Sequence, residues 1–329
     1  MAKIYVTRKI SGSALKVLQD SSNEVDVSIY DRPLKEEELV ERVKGKDALL
    51  TLLHDRIDGD LMDLAGAQLK IVANYAVGYD NIDVKAASER GIVVTNTPSD
   101  EVNEAVAEHT WALILSLSRR IVEADEAVRR GGYKGWEPHI FIGRSLIGKT
   151  LGIVGLGRIG SMVARRAVGY NMKILYNKRT PDPEAERTLG VEYADLDHLL
   201  SASDFVTLHV PLTEETRKLI NKESLSKIKR GSYLVNTARG LVIDEHDLVD
   251  SLRSGHLAGA GLDVYENEPE INPELIGMEN VILTPHIASA TWEAREDMGK
   301  LAVSAILDTL QDSKPKNIVN DEVWENRRK

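Results

Sequence analysis

Cysteine is absent from the 329 residues. That removes thiolate nucleophiles, cysteine-ligated zinc, iron–sulfur clusters and disulfides together. No run of about 18 apolar residues occurs, so nothing reads as a membrane-spanning helix. The opening segment Met1–Lys9 lacks the apolar stretch of a secretory signal. Positive charge is in deficit: 42 Lys and Arg stand against 52 Asp and Glu, a formal net charge of −10. This balance argues against a nucleic-acid partner, because phosphate binding relies on clustered cations. It leaves room for a small anionic ligand, which needs only one or two local cations. There is no fixed-period repeat and no low-complexity tract. The expectation is a cytoplasmic globular protein without membrane or nucleic-acid partners, of a length that favours two domains.

The apolar residues fall into short β-branched runs separated by helix-length stretches. Candidate strands before residue 100 are Ile4–Thr7, Val25–Ile29, Ala48–Leu53, Leu69–Asn74 and Ile92–Thr95, with amphipathic segments Leu34–Val43 and Gly59–Leu64 between them. A second series comprises Thr150–Val154, Lys173–Tyr176, Phe205–Val210, Tyr233–Asn236, Gly261–Val264 and Val281–Leu283. Strands alternating with helices imply βαβ units and parallel sheets. Between the two series, Val102, Val106, Leu113, Leu117, Ile121, Ala124 and Val128 keep one face apolar over about 27 residues. That predicts a single helix roughly 40 Å long, stopping at Gly131-Gly132. A last helix is expected over Ala290–Leu310, followed by a frayed charged tail ending in Glu325–Lys329. The fold predicted is α/β with two doubly wound parallel-sheet domains. Residues 1–100 with 290–329 form one domain, and residues 101–289 form a nucleotide-binding domain inserted into it.

Gly155-Leu156-Gly157-Arg158-Ile159-Gly160 lies between the apolar run Leu151–Val154 and a helical run from Ser161. Glycines alone commonly mark turns, but the strand-before, helix-after context is the one a dinucleotide site requires. Gly155 permits the tight turn, Gly157 lets the backbone approach a pyrophosphate, and Gly160 lets helix and strand pack closely. About twenty residues on, an NAD enzyme carries an acid for the ribose 2′-hydroxyl. Here the chain reads Tyr176-Asn177-Lys178-Arg179-Thr180, with no acid before Asp182. A carboxylate would repel a 2′-phosphate, whereas Lys178 and Arg179 would pair with it. The expected cofactor is therefore NADP(H), with NAD(H) as the alternative.

In open α/β sheets the ligand lies beyond the carboxyl ends of the strands. Arg239, Glu268 and His286 each follow a different strand of the second series. Taken singly, they read as an exposed turn residue, a solvated acid before proline and a loop histidine. Together, on the ligand edge of a dinucleotide-binding sheet, they are not expected by coincidence, and their chemistry is consistent with reduction of a 2-oxo acid. Arg239 can grip the carboxylate and polarise the carbonyl. His286 is the natural proton donor, and Glu268 beside it would favour the charged imidazolium.

The glycine turn, Thr237-Ala238-Arg239-Gly240, the Glu268-Pro269 step and the run from Pro285 to Thr291 resemble the D-isomer-specific 2-hydroxyacid dehydrogenase family over essentially the whole chain. Within that family, Asn74–Asp83, the Arg179-Thr180 step and Gly135-Trp136 are most similar to the glyoxylate/hydroxypyruvate reductases. The resemblance implies a Rossmann domain inserted in a flavodoxin-like substrate domain, with a ligand cleft, and a homodimer joined through the nucleotide domains. It implies catalytic roles for Arg239, Glu268 and His286, and substrate contacts from Leu53, Val77, Gly78, Arg239 and His286. Cofactor contacts are implied for the residues of the 155–160 turn, for Asn177, Lys178, Arg179 and Thr180, and for His209, Pro211, Thr237, Ala238, Asp263 and Ala288. Ala105–Thr110 is closer to phosphoglycerate dehydrogenases. His54 stands where the reductases have a small hydroxyl residue, which leaves open which 2-oxo acid is preferred. The alternatives are a D-lactate-type or broader 2-hydroxyacid dehydrogenase using NAD, and more distantly a nucleotide-sensing co-repressor.

Other candidates have plainer readings. His109 is expected to be a packed or interface histidine, and Trp136 an ordinary packed tryptophan by default, with contact to a neighbouring subunit as the alternative. Asp244-Glu245-His246-Asp247 has metal-ligand residue types but reads as the acidic first turn of a helix. No metal site is expected.

Overall fold

A computed structural model describes residues 1–10 and 12–329. The chain forms two compact units, Met1–Val102 with Ala290–Lys329, and Asn103–Ser289. The first unit carries strands β1 (Lys3–Val6), β2 (Glu24–Val27), β3 (Ala48–Thr51), β4 (Ile71–Asn74) and β5 (Val93–Thr95). They pair in parallel in the order β2-β1-β3-β4-β5, the flavodoxin-like winding. Every residue of β3 and β4 is buried, as strands covered by helices on both faces must be. One face packs on Leu39, Val43, Leu61 and Met62. The helix Trp292–Leu310 also packs against β3, β4 and β5.

The second unit carries β6 (Thr150–Val154), β7 (Lys173–Asn177), β8 (Glu192–Tyr193), β9 (Phe205–Leu208), β10 (Tyr233–Asn236), β11 (Gly259–Leu262) and β12 (Val281–Leu283). Their order is β12-β11-β10-β9-β6-β7-β8, and all pairs are parallel. The first strand of this unit, β6, thus lies in the middle, between β7 and β9. This is the Rossmann winding, and the reversal of strand order beside β6 is the topological switch point where such sheets bind ligands. No helix among the described residues is long and apolar enough to cross a membrane.

Several expectations change. The long helix is two helices, Asp100–Arg119 and Ile121–Arg129, separated by Arg120 in the left-handed region at φ 54°. The break falls where the core ends: Leu113, Ile114 and Leu117 are buried, but no residue of Ile121–Arg129 is. The Arg144 N–H donates to the Ser118 carbonyl at 2.7 Å and satisfies the last turn of the first helix. Trp136 is 83% exposed rather than packed. The tail is not frayed. Val323 and Trp324 are buried, and Arg328 donates to the Gly66 and Leu69 carbonyls at 2.9 and 3.3 Å. Strand β3 ends two residues early because the Asp55 carboxylate takes the Leu52 N–H at 2.8 Å, drawing the backbone out of the ladder.

Strand β11 begins two residues before the expected Gly261. Its Gly-Ala-Gly start has little β propensity, but the packing requires it. A Cβ on Gly261 would lie 3.1 Å from Leu113 Cβ, and one on Gly259 would lie 2.6 Å from the Asn280 carbonyl oxygen. That oxygen accepts the Ala260 N–H at 3.1 Å. Gly259→Ala is therefore expected to push β12 off β11 and cost about 1–3 kcal/mol. An unchanged urea midpoint would contradict this account of the sheet edge.

Candidate active site

The glycine turn follows β6 directly. Gly155 has φ +100°, and a Cβ there would lie 2.6 Å from the His209 carbonyl oxygen, so only glycine fits. A Cβ on Gly160 would run into the Gly155 carbonyl. Gly157, by contrast, faces open space, with nothing within 4 Å of its would-be Cβ. It is the N-cap of the helix Arg158–Val168 and supplies no side-chain cap. The first N–H groups of that helix are thus left for a ligand, beside a backbone that nothing shields, which is what a pyrophosphate requires. Leu156 is buried in the core of the unit, so only its backbone faces this space.

The Asn177 carbonyl accepts the Gly155 N–H at 2.9 Å, tying the end of β7 to the turn. Beyond it the two expected cations separate. Lys178 Nζ pairs with Asp182 at 3.0 Å, while Arg179 is exposed and makes no ion pair among the described residues. Asp182 is held by the Ala185 N–H and by Lys178, which keep its carboxyl below the usual range. His209 follows β9 directly, with a buried Nε2 that has no partner among the described residues. Burial pushes its pKa down to about 4, so the ring is neutral near pH 7. Thr180 and Pro211 lie exposed in the loops after β7 and β9.

The Arg239 loop is folded by the residue that ends β10. Asn236 donates to the Arg239 carbonyl at 2.9 Å and accepts the Ala238 N–H at 3.0 Å. Thr237 is bonded through its hydroxyl to Thr110 at 3.0 Å, and Arg239 Nη1 donates to the Ala238 carbonyl at 2.8 Å. Gly240 lies against the Tyr265–Glu266 backbone, where a Cβ would come within 2.5 Å of the Glu266 nitrogen. The Arg239 loop and the Glu268 loop are therefore packed backbone to backbone.

Glu268 and His286 meet. Oε2 of Glu268 lies 2.8 Å from Nδ1 of His286, and Oε1 accepts the Tyr265 N–H at 3.0 Å. An ionised carboxylate has no proton to give, so Nδ1 is the donor and Nε2 is left for another partner. Both side chains keep some exposure, 20% for Glu268 and 24% for His286.

His286 itself sits at φ 54°, a conformation that costs an L-residue about 1–2 kcal/mol. Asp263, fully buried, holds it there. Its carboxylate accepts the Ile287 and Ala288 N–H groups at 2.8 and 2.7 Å and the Thr284 hydroxyl at 2.6 Å. Its backbone carbonyl accepts the His286 N–H at 2.9 Å. The Thr284 hydroxyl gives its hydrogen to Asp263, so His109 Nε2, 3.0 Å from that oxygen, donates to it. His109 is thus a packed histidine with a definite task, as one end of a relay of donors. Burial disfavours the Asp263 charge, but His109, Thr284 and the two amides outweigh it and leave the pKa lowered.

In the first unit Leu53, Val77 and Gly78 are half-buried at the carboxyl ends of β3 and β4. Asn236, Tyr265 and the His109–Thr284 pair did not stand out in the sequence. The one available signal was an asparagine ending a strand before a turn.

These features define a dinucleotide-binding oxidoreductase type of site, with a histidine–carboxylate pair beyond the strand ends. Residues 111–288 match the family model described as D-isomer specific 2-hydroxyacid dehydrogenase, NAD binding domain. The chain is 48% identical over 325 residues to the glyoxylate reductase of Thermococcus onnurineus, covering 98% of this chain and 96% of that one. It is 49% identical to the glyoxylate reductase of Pyrococcus furiosus, with the same coverage. Among solved structures it resembles an NADPH-dependent glyoxylate/hydroxypyruvate reductase from Sinorhizobium meliloti in complex with NADP and malonate. The TM-score is 0.85 at 34% identity, covering 100% of this chain and 98% of that one. The chain belongs to the D-isomer-specific 2-hydroxyacid dehydrogenase family and is a nicotinamide-dependent enzyme of that kind.

Asp263→Asn puts an amide where two backbone N–H groups need an acceptor, and is expected to cost about 1–3 kcal/mol at neutral pH. Because the folded pKa is lowered, the wild-type advantage is fully present above the unfolded aspartate value of about 3.9. It fades as pH falls below that value and through the folded one. Denaturant melts of both proteins between pH 7 and 3 check this. A constant gap would mean the charge is not what holds the loop.

Proposed function

We propose that the enzyme reduces a small 2-oxo acid, glyoxylate or hydroxypyruvate, to the D-2-hydroxy acid with NADPH. The observation that carries the reading is the 2.8 Å contact between His286 Nδ1 and Glu268 Oε2 at the carboxyl edge of a sheet with an uncapped glycine turn. The names of the relatives support it. A bound reduced nicotinamide supplies a hydride to C2 of the substrate. The protein must then supply one proton to the oxygen that was the carbonyl. His286 Nε2 is the donor, since Nδ1 is committed to Glu268, and that carboxylate stabilises the imidazolium until transfer. Arg239 holds the carboxylate and draws electron density onto the carbonyl oxygen. Val77 and Gly78 offer backbone N–H groups to the carboxylate, and Leu53 faces the substituent on C2.

Arg179 is the stronger of the two cations offered to a 2′-phosphate, because Lys178 already faces Asp182. Thr180, Asn177, His209, Pro211, Thr237, Ala238 and Ala288 complete the cofactor contacts we propose, whereas Asp263, fully buried and occupied by its donors, acts only through the backbone it holds. A panel of 2-oxo acids assayed with NADPH and NADH tests the whole reading. His286→Ala is expected to lower kcat by about 10²–10⁴. Arg179→Ala is expected to raise KM for NADPH about ten- to a hundredfold, Lys178→Ala less, and neither to change KM for NADH appreciably. Equal losses with both cofactors would overturn the NADPH preference, and absence of turnover on every 2-oxo acid would overturn the activity.

We also propose a homodimer. Ile121, Val122, Val128, Tyr133, Trp136, Ile140, Ile142 and Ile147 are all exposed large apolar residues within one stretch of the second unit. An apolar surface of that extent marks an association site, and a two-fold homodimer is the commonest solution. Sedimentation of wild type and Val128→Asp checks it: a dimer is expected for the first and a monomer for the second. A monomeric wild type would refute the proposal.

A further inference from the structure

Three asparagines of the first unit, Asn74, Asn81 and Asn96, take no part in the chemistry above, yet their side chains are engaged with loop backbone. Asn74 ends β4 and is fully buried. Its Nδ2 donates to the Gly78 carbonyl at 2.9 Å and to Asn81 Oδ1 at 3.0 Å, and its Oδ1 accepts the Thr51 hydroxyl at 3.1 Å. Asn81 answers with its own amide, donating to the Leu52 and Asp55 carbonyls at 3.1 and 2.9 Å. Asn96 Nδ2 donates to the Val77 carbonyl at 2.7 Å, and the Thr97 N–H to that of Ala76 at 2.8 Å.

The consequence lies in the peptide planes. In a trans peptide the carbonyl and the N–H point in opposite directions. With the carbonyls of Ala76, Val77 and Gly78 each held by a protein donor, the N–H groups of Val77, Gly78 and Tyr79 are turned away from those donors. None of the three meets an acceptor among the described residues. Successive N–H groups left open in this way form a receptor for an anion. The Asn74–Asn81 pair also fastens this loop to the 52–55 loop, which carries Leu53. Asp55 anchors that second loop from below through Thr7 and the Leu52 N–H.

We propose that Asn74, Asn81 and Asn96 are positioning residues. Asn96 and Asn74 aim the 77–79 amides at the substrate carboxylate, and the Asn74–Asn81 pair sets the distance from that receptor to the loop facing the substituent on C2. The proposal rests on the reduction of a 2-oxo acid argued above. It makes the two loops one rigid gauge, in which Asn96 acts on carboxylate affinity alone and Asn81 acts on affinity and side-chain preference together.

Kinetics of Asn96→Ala and Asn81→Ala with glyoxylate and hydroxypyruvate test it. Freeing the Val77 carbonyl in Asn96→Ala is expected to raise KM for both acids by one common factor, about tenfold. Asn81→Ala is expected to raise both and to change their ratio as well. KM for NADPH stays put in either variant. A lowered melting temperature with unaltered KM values, or a parallel rise in KM for NADPH, would overturn the positioning role. Should Asn81→Ala fail to fold, Asn96→Ala carries the test, because its amide loses only the Val77 contact. Calorimetric titration with oxalate, which cannot be reduced, keeps this proposal separate from the activity. Weaker oxalate binding by Asn96→Ala than by wild type supports the receptor even if no 2-oxo acid is turned over. Equal oxalate binding refutes it.

Discussion

Asp263 is a charge withdrawn from water, and the arrangement of the loop that carries His286 depends on how that charge is satisfied. A lone buried carboxylate would take up a proton. This one stays ionised because His109, 3.5 Å away, Thr284, Ile287 and Ala288 aim donors at it. Those donors can converge only if the chain between Thr284 and Ala288 turns sharply, and the turn places His286 in the left-handed region. The strain at His286 and the charge at Asp263 therefore sustain each other. Given that turn, the imidazole reaches Glu268 with Nδ1 and presents Nε2 outward.

Two carboxylates thus serve one histidine in different ways. Asp263 is saturated with donors and sealed from solvent, so it shapes the backbone and is unsuited to moving a proton. Glu268 keeps one oxygen on the Tyr265 N–H and the other on the ring, with enough exposure for the pair to respond to what binds beside it. Gly240, pressed on the Tyr265–Glu266 backbone, links the Arg239 loop to the same framework. The guanidinium, carboxylate and imidazole loops are set by one another as much as by the sheet.

What could be read in the sequence follows from the range of the forces involved. The glycine turn was legible because its demands are local: a positive φ at Gly155 and close approach at Gly160 exclude any side chain there. Arg239, Glu268 and His286 became candidates through topology, since strand ends on one edge of a parallel sheet converge, and the structure joins Glu268 to His286 and packs the Arg239 loop on the Glu268 loop. The break at Arg120 was hidden because Ile121, Ala124 and Val128 continue the apolar period, and only the distant Arg144 ends the helix. The pairing of Lys178 with Asp182 was hidden because four residues along a turn, unlike along a helix, imply no contact. The packed tail was hidden because charge near a terminus reads as solvation, whereas Arg328 finds carbonyls left open by Gly66 and Leu69.

The asparagines were the least legible of all, for a physical reason that also explains their use. At a strand end asparagine is a common turn residue, so Asn74, Asn81, Asn96 and Asn236 look like punctuation. The same short amide that makes a good turn former can donate and accept at once, and can hold a carbonyl that no neighbouring strand will reach. At the carboxyl end of a parallel sheet the ladder runs out, leaving backbone carbonyls and N–H groups without partners in the region where ligands bind. An amide that captures the carbonyl of a peptide leaves its N–H pointing the other way, so satisfying one half of the peptide bond creates a binding group from the other half. Asn74 and Asn96 do this around Val77 and Gly78, and Asn236 does the related task of folding the loop that bears Arg239. Both units aim their functional groups by this hydrogen bonding at strand ends, with the packed sheets serving to hold the asparagines themselves in place.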